Sequence, residues 1–402
     1  MNWLVPACVL IAFMLATGIG QAAGLMGFPV PDASRRIGLI DGLRGYLALA
    51  VMMHHFDIWE NVMRYGAPWG TSSARWLANF GPGGVSLFFM TTGLVFYSRI
   101  AKGFAETDWR GTYISRFFRI LPMQVVSIVV IALIALEMAG GHHDLPGTIK
   151  ALAMWMTSYA EPPLFGYAQS GMINAKVLWS LWHEWVFYFA LLPLMALGRD
   201  WTRRWLPRMA LPLILLAIGL VVGPAIGPKA KLFSTAFYLP LFAFGMIAYE
   251  LRSRDGVARL LASGSAAILA VALLLVAIVF APDPYGLPQI AAYALFFACL
   301  ACGNRFGGLF ALRGSLVLGE CSFAIYLIHG IVLFLTFTFA IPPGFATSRL
   351  PVLLPAAAVV AVLLSMLAHL VIERPMIRLG REFAGWSRPR TPVERAALDV
   401  AP

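Results

Sequence analysis

Apolar runs of about 20 residues recur along the whole chain, separated by short polar turns. They fall at approximately 40 to 59, 82 to 101, 118 to 139, 177 to 198, 209 to 227, 232 to 251, 260 to 281, 287 to 303, 316 to 340 and 350 to 372. A helix of that length crosses the hydrocarbon core of a bilayer, where every backbone N–H and C=O must be bonded within the segment. The expected fold is an all-α integral membrane protein, a bundle of about ten core transmembrane helices plus one N-terminal apolar helix. The extra helix comes from an uncharged run at 3 to 27. It contains GIGQAAG, which resembles a cleavage region, but it lacks the basic start of a signal peptide and is read as retained.

Composition excludes a soluble globule: 60% of residues are hydrophobic, 12% are charged and mean hydropathy is +0.79, against roughly 25% charged in soluble domains. The net charge of +11 does not point to nucleic acid, because the basic residues cluster beside the apolar runs, as orientation signals do. With Arg35 and Arg36 on the cytoplasmic side, 23 of the 30 Lys and Arg residues fall on inner segments and seven on outer ones. The alternation requires that 147 to 160, GTIKALAMWMTSYA, does not cross and instead forms an outer interfacial or re-entrant helix. Outer segments 60 to 80 and 140 to 176 are rich in aromatics, Trp69 and Tyr167 among them, which suits either an interfacial belt or a platform for sugar rings. Cys8, Cys299, Cys302 and Cys321 lie within or beside apolar runs. The CxxC at Cys299 has no second pair, so neither a metal site nor a permanently bound cofactor is expected.

The first core run, LIDGLRGYLALAVMMHHFDIW (Leu39 to Trp59), carries Arg44 near one end and His54 and His55 near the other. On an α-helix Arg44 and His55 lie within about 20° of one face and about 16 Å apart, whereas His54 is turned away by about 100°. Arg44 as a snorkelling anchor and His55 as a bundle hydrogen-bonder would be the plain interpretation. Glu184 and His329 are the other ionisable residues deep in runs. Counted from the outer ends, Glu184 falls at a depth similar to that of His55 and is expected to orient it; pairing with a cation such as His183 is the alternative. His329 either assists catalysis or hydrogen-bonds within the bundle. His369 and Glu373 lie at an inner helix end, where a headgroup or helix-end role fits.

Six motifs in order supply a context. IDGLRGYLALAVMMHHF is similar to the first core helix of the membrane acyltransferase 3 family, which carries Arg, ten residues, then His. GVSLFFMTTG (Gly84 to Gly93) resembles GVDLFFVLSG, with Ser86 in place of Asp. YISRFFRILP (Tyr113 to Pro122) resembles the basic turn before the third span. LWSLWHEWVFY (Leu178 to Tyr188) resembles WSLSVEEQFY, with Trp185 and Val186 in place of Glu and Gln. SFAIYLIHG (Ser322 to Gly330) resembles SYSLYLWHW, and VIERP (Val371 to Pro375) the closing IEKP.

The resemblance implies O-acyl transfer, with acetyl as the expected group, from cytoplasmic acyl-CoA to a hydroxyl of a cell-envelope or exported carbohydrate. It places the protein as a multi-pass component of the bacterial inner membrane. Residues 1–30 would be the extra helix, 31–382 the acyltransferase membrane domain and 383–402 a cytoplasmic tail. Arg44, Arg116 and Arg119 would bind the donor, unless the last two serve only as topology signals. His55, Glu184 and His329 would form the catalytic set. His55 would act as general base or accept the acyl group itself, and direct base catalysis is preferred. Partners would be acyl-CoA, the carbohydrate acceptor and membrane lipids, with no nucleic acid and no metal. The rival is a polytopic transporter or flippase without acyl chemistry.

Overall fold

The computed structural model describes residues 3–30, 38–140, 144–227 and 233–386, whose regular elements are all helices, with no strand among them. The candidate positions Arg35, Arg36, Lys229, Lys231, Arg388, Arg390 and Arg395 lie outside the described residues. In chain order the helices are α1 (Leu4–Leu25), α2 (Gly38–Tyr65), α3 (Arg75–Lys102), α4 (Trp109–Met138), α5 (Leu145–Met156), α6 (Ser170–Ile173) and α7 (Trp179–Val186). Then come α8 (Leu192–Thr202), α9 (Ala210–Ile226), α10 (Thr235–Leu251), α11 (Asp255–Leu261), α12 (Gly264–Phe280), α13 (Leu287–Ala301), α14 (Arg313–Glu320), α15 (Ser322–Leu335), α16 (Leu353–Ala368) and α17 (Arg374–Trp386).

Among the described residues six helices or joined helices are long and apolar enough to cross a membrane. They are α1, α3, α4, the α7–α8 pair (Trp179–Thr202), α15 extended to Ala340, and the segment Thr347–Gly385 that includes α16 and most of α17. A seventh is the α11–α12 pair if its 60° bend is counted within one span. The expected run 316 to 340 is divided, because a turn at Cys321 separates α14 from α15. The stretch 147 to 160 forms the 12-residue α5, too short to cross. Asp144 caps α5 by accepting from Gly147 N–H at 2.9 Å.

α2 sits inside the bundle, packed against α3, α14 and α15, while α1 lies on α14 and α16. Small residues set the closest approaches: a Cβ at Gly42 would stand 1.9 Å from the Phe310 carbonyl oxygen, and one at Gly319 1.8 Å from that of Asp41. Among the described residues three π turns, Phe187–Leu191, Thr336–Ala340 and His369–Glu373, interrupt the regular ladder. The first precedes Pro193, which supplies no N–H to a carbonyl one turn back, and the wider turn absorbs that loss between α7 and α8. In the last, His369 Nδ1 donates to Glu373 Oε2 at 2.7 Å, both side chains buried. These two groups therefore bond to each other within the bundle, with Glu373 Oε1 left buried.

Candidate active site

α2 and α15 bring His55 and His329 together, with His55 Nδ1 3.1 Å from His329 Nε2 and the rings stacked at 5.2 Å. The other nitrogen of His329, Nδ1, lies 3.1 Å from the Ile325 carbonyl, which can only accept, so Nδ1 carries the hydrogen. In a pair of neutral imidazoles His329 Nε2 is then the acceptor and His55 Nδ1 the donor, and the lone pair of His55 is left on Nε2. His329 is fully buried, whereas His55 is half-buried. The Trp69 ring stacks on His55 at 6.4 Å and 16°. Asp57, two residues beyond His55 and buried, accepts from Ser73 N–H at 3.0 Å and from the hydroxyls of Ser72 and Ser73. That clamp ties down the loop carrying Trp69.

His54 points elsewhere, as helical geometry requires. Its Nδ1 donates to the Leu77 carbonyl at 2.9 Å, and its ring fills the space left by Gly81 of α3, where a Cβ would stand 2.4 Å from His54 Cδ2.

On the Arg44 side of this pair lies a cavity of about 420 Å³. Arg44, Arg116 and Arg119 line one end; Val85, Ser180 and Tyr326 line the other. Along α3 the lining runs from Val85 to Phe96, about 16 Å of helix rise. Arg44 also lies 3.7 Å from Asp41. The Arg116 guanidinium stands over the Phe96 ring at 5.1 Å. At the far end the Tyr326 hydroxyl lies 2.7 Å from Ser180 Oγ, and the Tyr326 ring is 6.0 Å from that of His329, three residues along the same helix. The cavity thus ends about one helical turn from the imidazole pair.

Glu184 belongs to the cavity and not to the imidazole pair, contrary to the depth expected from counting. It accepts from the Tyr188 hydroxyl at 3.0 Å and from Thr92 Oγ1 at 3.5 Å. On α3, Thr92 lies eleven residues from Gly81, the neighbour of His54, so Glu184 sits about 16 Å toward the Arg44 end. Residue 177 is not at a surface: Ser170, Ile173, Asn174, Ala175, Val177 and Leu178 are all buried, and Gly330 packs on the Asn174 backbone. α7 therefore starts deep in the bundle, and a count from residue 177 misplaces everything after it. His183 does not pair with Glu184 either, its Nδ1 lying 2.8 Å from Thr235 Oγ1.

Ser180, Tyr188 and Tyr326 were not singled out as candidates by the sequence. Their signal was the helical spacing from residues that were: Ser180 and Tyr188 are four residues from Glu184, and Tyr326 is three from His329.

Fold and site together define a helical membrane protein in which an imidazole pair stands one turn beyond a guanidinium-lined cavity. The chain belongs to the acyltransferase 3 family, whose family model, described as an acyltransferase domain, matches residues 37–370. This family and the apolar helices make it a multi-pass membrane protein with acyltransferase activity. It is similar to the acyltransferase MdmB of Streptomyces mycarofaciens, 26% identical over 400 residues that cover 93% of this chain and 99% of the relative. No solved structure matches it.

Proposed function

We propose that this protein is an O-acyltransferase of the bacterial inner membrane that moves an acyl group, acetyl in the first instance, from cytoplasmic acyl-CoA to a hydroxyl of a cell-envelope or exported carbohydrate. The observation that carries the proposal is the lone pair left on His55 Nε2 by the His55–His329–Ile325 hydrogen-bond relay. A hydroxyl attacking a thioester needs a base that is neutral near physiological pH, and an unprotonated imidazole nitrogen is one.

Acyl-CoA enters with its phosphates among Arg44, Arg116 and Arg119, where guanidinium forks match phosphate oxygens. Its pantetheine arm extends along the roughly 16 Å lined by α3, so the thioester arrives near Ser180 and Tyr326, below the imidazoles. The acceptor approaches from the Trp69 side, where an aromatic face suits a sugar ring. His55 Nε2 takes the hydroxyl proton as the new C–O bond forms and the C–S bond breaks, and the proton then passes to the departing thiolate. His329, too buried to meet substrate, holds the tautomer of His55. Glu184 faces the donor in the cavity.

The membrane domain is assigned to 31–382, preceded by α1 and followed by a cytoplasmic tail. Counting α2, the bent α11–α12 pair and the short apolar helices α9, α10 and α13 as crossings yields ten core spans plus α1.

The test is transfer from labelled acyl-CoA by the purified protein, with CoA binding measured in parallel. His55→Ala is expected to lower turnover by on the order of 10²- to 10⁴-fold with donor binding intact, and His54→Ala to retain most activity. Arg44→Ala is expected to weaken donor binding, with Lys restoring it in part. A thioester left intact by the wild-type protein would favour the transporter.

A further inference from the structure

A second cavity, of about 550 Å³, opens where the end of α3, the start of α4 and the last turns of α17 meet. Three cations line it: Arg99, Lys102 and Arg381. Of its two carboxylates, Glu106 is engaged elsewhere, while Asp108 caps a helix and also sets its charge near Arg99. Glu106 Oε1 accepts from both terminal nitrogens of Arg203 at 3.1 Å, and Asp108 caps α4 by accepting from Gly111 N–H at 2.8 Å. Among the described residues no carboxylate lies within ion-pair distance of Arg99, Lys102 or Arg381. Arg99 is fixed, its Nε donating to Thr112 Oγ1 at 3.1 Å and its guanidinium standing over Phe96 at 4.8 Å. Phe96 is the same ring on which Arg116 of the donor cavity rests. One aromatic side chain therefore carries a guanidinium from each of the two cavities.

We infer that this second cavity is the subsite for the 3′-phosphate on the adenosine end of the donor, with Arg99, Lys102 and Arg381 as its ligands. The inference rests on the acyl-CoA reading above. Coenzyme A carries two separated anionic groups, a diphosphate next to the pantetheine arm and a phosphomonoester on the far side of the ribose. If the diphosphate occupies the Arg44, Arg116 and Arg119 end, the phosphomonoester has to find cations beyond Phe96. A phosphomonoester near neutral pH carries close to two charges and three acceptor oxygens, which matches a cluster of three cations better than a single one. A membrane headgroup offers the same phosphate chemistry.

The experiment compares coenzyme A with 3′-dephospho-coenzyme A by calorimetry on the full chain in neutral detergent. For the wild type, loss of the 3′-phosphate is expected to weaken binding about tenfold. In the Lys102→Ala/Arg381→Ala double variant, both ligands should bind as the dephospho form binds wild type, which also shows that the variant is folded. Arg110→Ala, an exposed cation on α4 that does not line the cavity, should keep the full difference. Equal binding of the two ligands by wild type overturns the subsite while leaving the donor reading intact, as does a double variant that keeps the difference or weakens both ligands alike. Wild type that binds neither ligand overturns both. Loss of the difference on adding phosphatidylglycerol assigns the cavity to lipid headgroups and also overturns the subsite.

Discussion

His55 Nε2 has a usable lone pair because two neighbouring groups help to leave it one. The Ile325 carbonyl fixes the hydrogen on His329, and His329 in turn fixes the hydrogen on His55. A side chain that keeps an acceptor opposite His55 Nδ1 should therefore preserve part of the activity. His329→Gln, whose amide oxygen can accept, is expected to retain about tenfold or more turnover over His329→Ala, with CoA binding equal in the two. Equal turnover would reduce His329 to packing. A second residue-scale property lies in the segment between α5 and α7. Glu161 Oε1 accepts from Leu178 N–H at 2.8 Å, and burial pushes the carboxyl up to about 7 against the opposing effects of Leu178, Asn174 and Lys176. In the unfolded chain a glutamate titrates near ~4.3, so the folded state holds this proton more tightly. The stability this contributes is complete below the unfolded value and is lost as pH rises through about 7. Glu161→Gln should then melt higher than wild type at pH 8 and flatten the fall in melting temperature between pH 5 and pH 8. An unchanged slope would remove Glu161 as its cause.

At the scale of elements, the cavity wall depends on how closely α3 and α10 approach. A Cβ on Gly245 of α10 would stand 1.9 Å from the Met90 carbonyl oxygen, and one on Gly93 of α3 2.1 Å from that of Phe242. Each is backbone on backbone, which cannot rotate away as a side chain can. The residues Thr91, Thr92 and Phe96 on this part of α3 face the cavity. Gly245→Val is expected to destabilise the protein by on the order of 1–3 kcal/mol, or more if the helices must separate. It should lower both melting temperature and transfer activity. Gly256→Ala, with open space around it, should leave melting unchanged. A Gly245→Val protein that melts with wild type would mean that α10 does not hold the wall. The segment 170 to 178, buried except at Met172 and Lys176, belongs to this scale too. It carries short polar and apolar residues in no clear period, and it lies inside because Asn174 meets Gly330 and the Val177 carbonyl accepts from Tyr326 at 3.2 Å.

For the whole molecule, basic asymmetry predicts an orientation that can be tested at described positions. With Cys302 replaced by Ser, a cysteine at Ile149, 72% exposed on α5, should react with an impermeant thiol reagent on intact cells. One at Glu382 of α17 should react only after permeabilisation. The opposite pattern would invert the topology and place the Arg44 end outside. The amino-acid sequence by itself determined the helical membrane class, the facing of Arg44 and His55 on one helix, and the separation of His54 from both. These follow from run length, the 3.6-residue period and motifs local in the chain. It also placed the acyltransferase motifs in order, and the family match covers the same region. Only the tertiary structure decided that His55 meets His329, 274 residues away, and that Glu184 joins Arg44 instead. It decided as well that Arg99 and Arg116, which line different cavities, rest on the same Phe96 ring. Depth counted along a sequence assumes that every run starts at the membrane surface. The buried segment before α7 breaks that assumption, and contacts between helices far apart in sequence leave no periodic trace in either one.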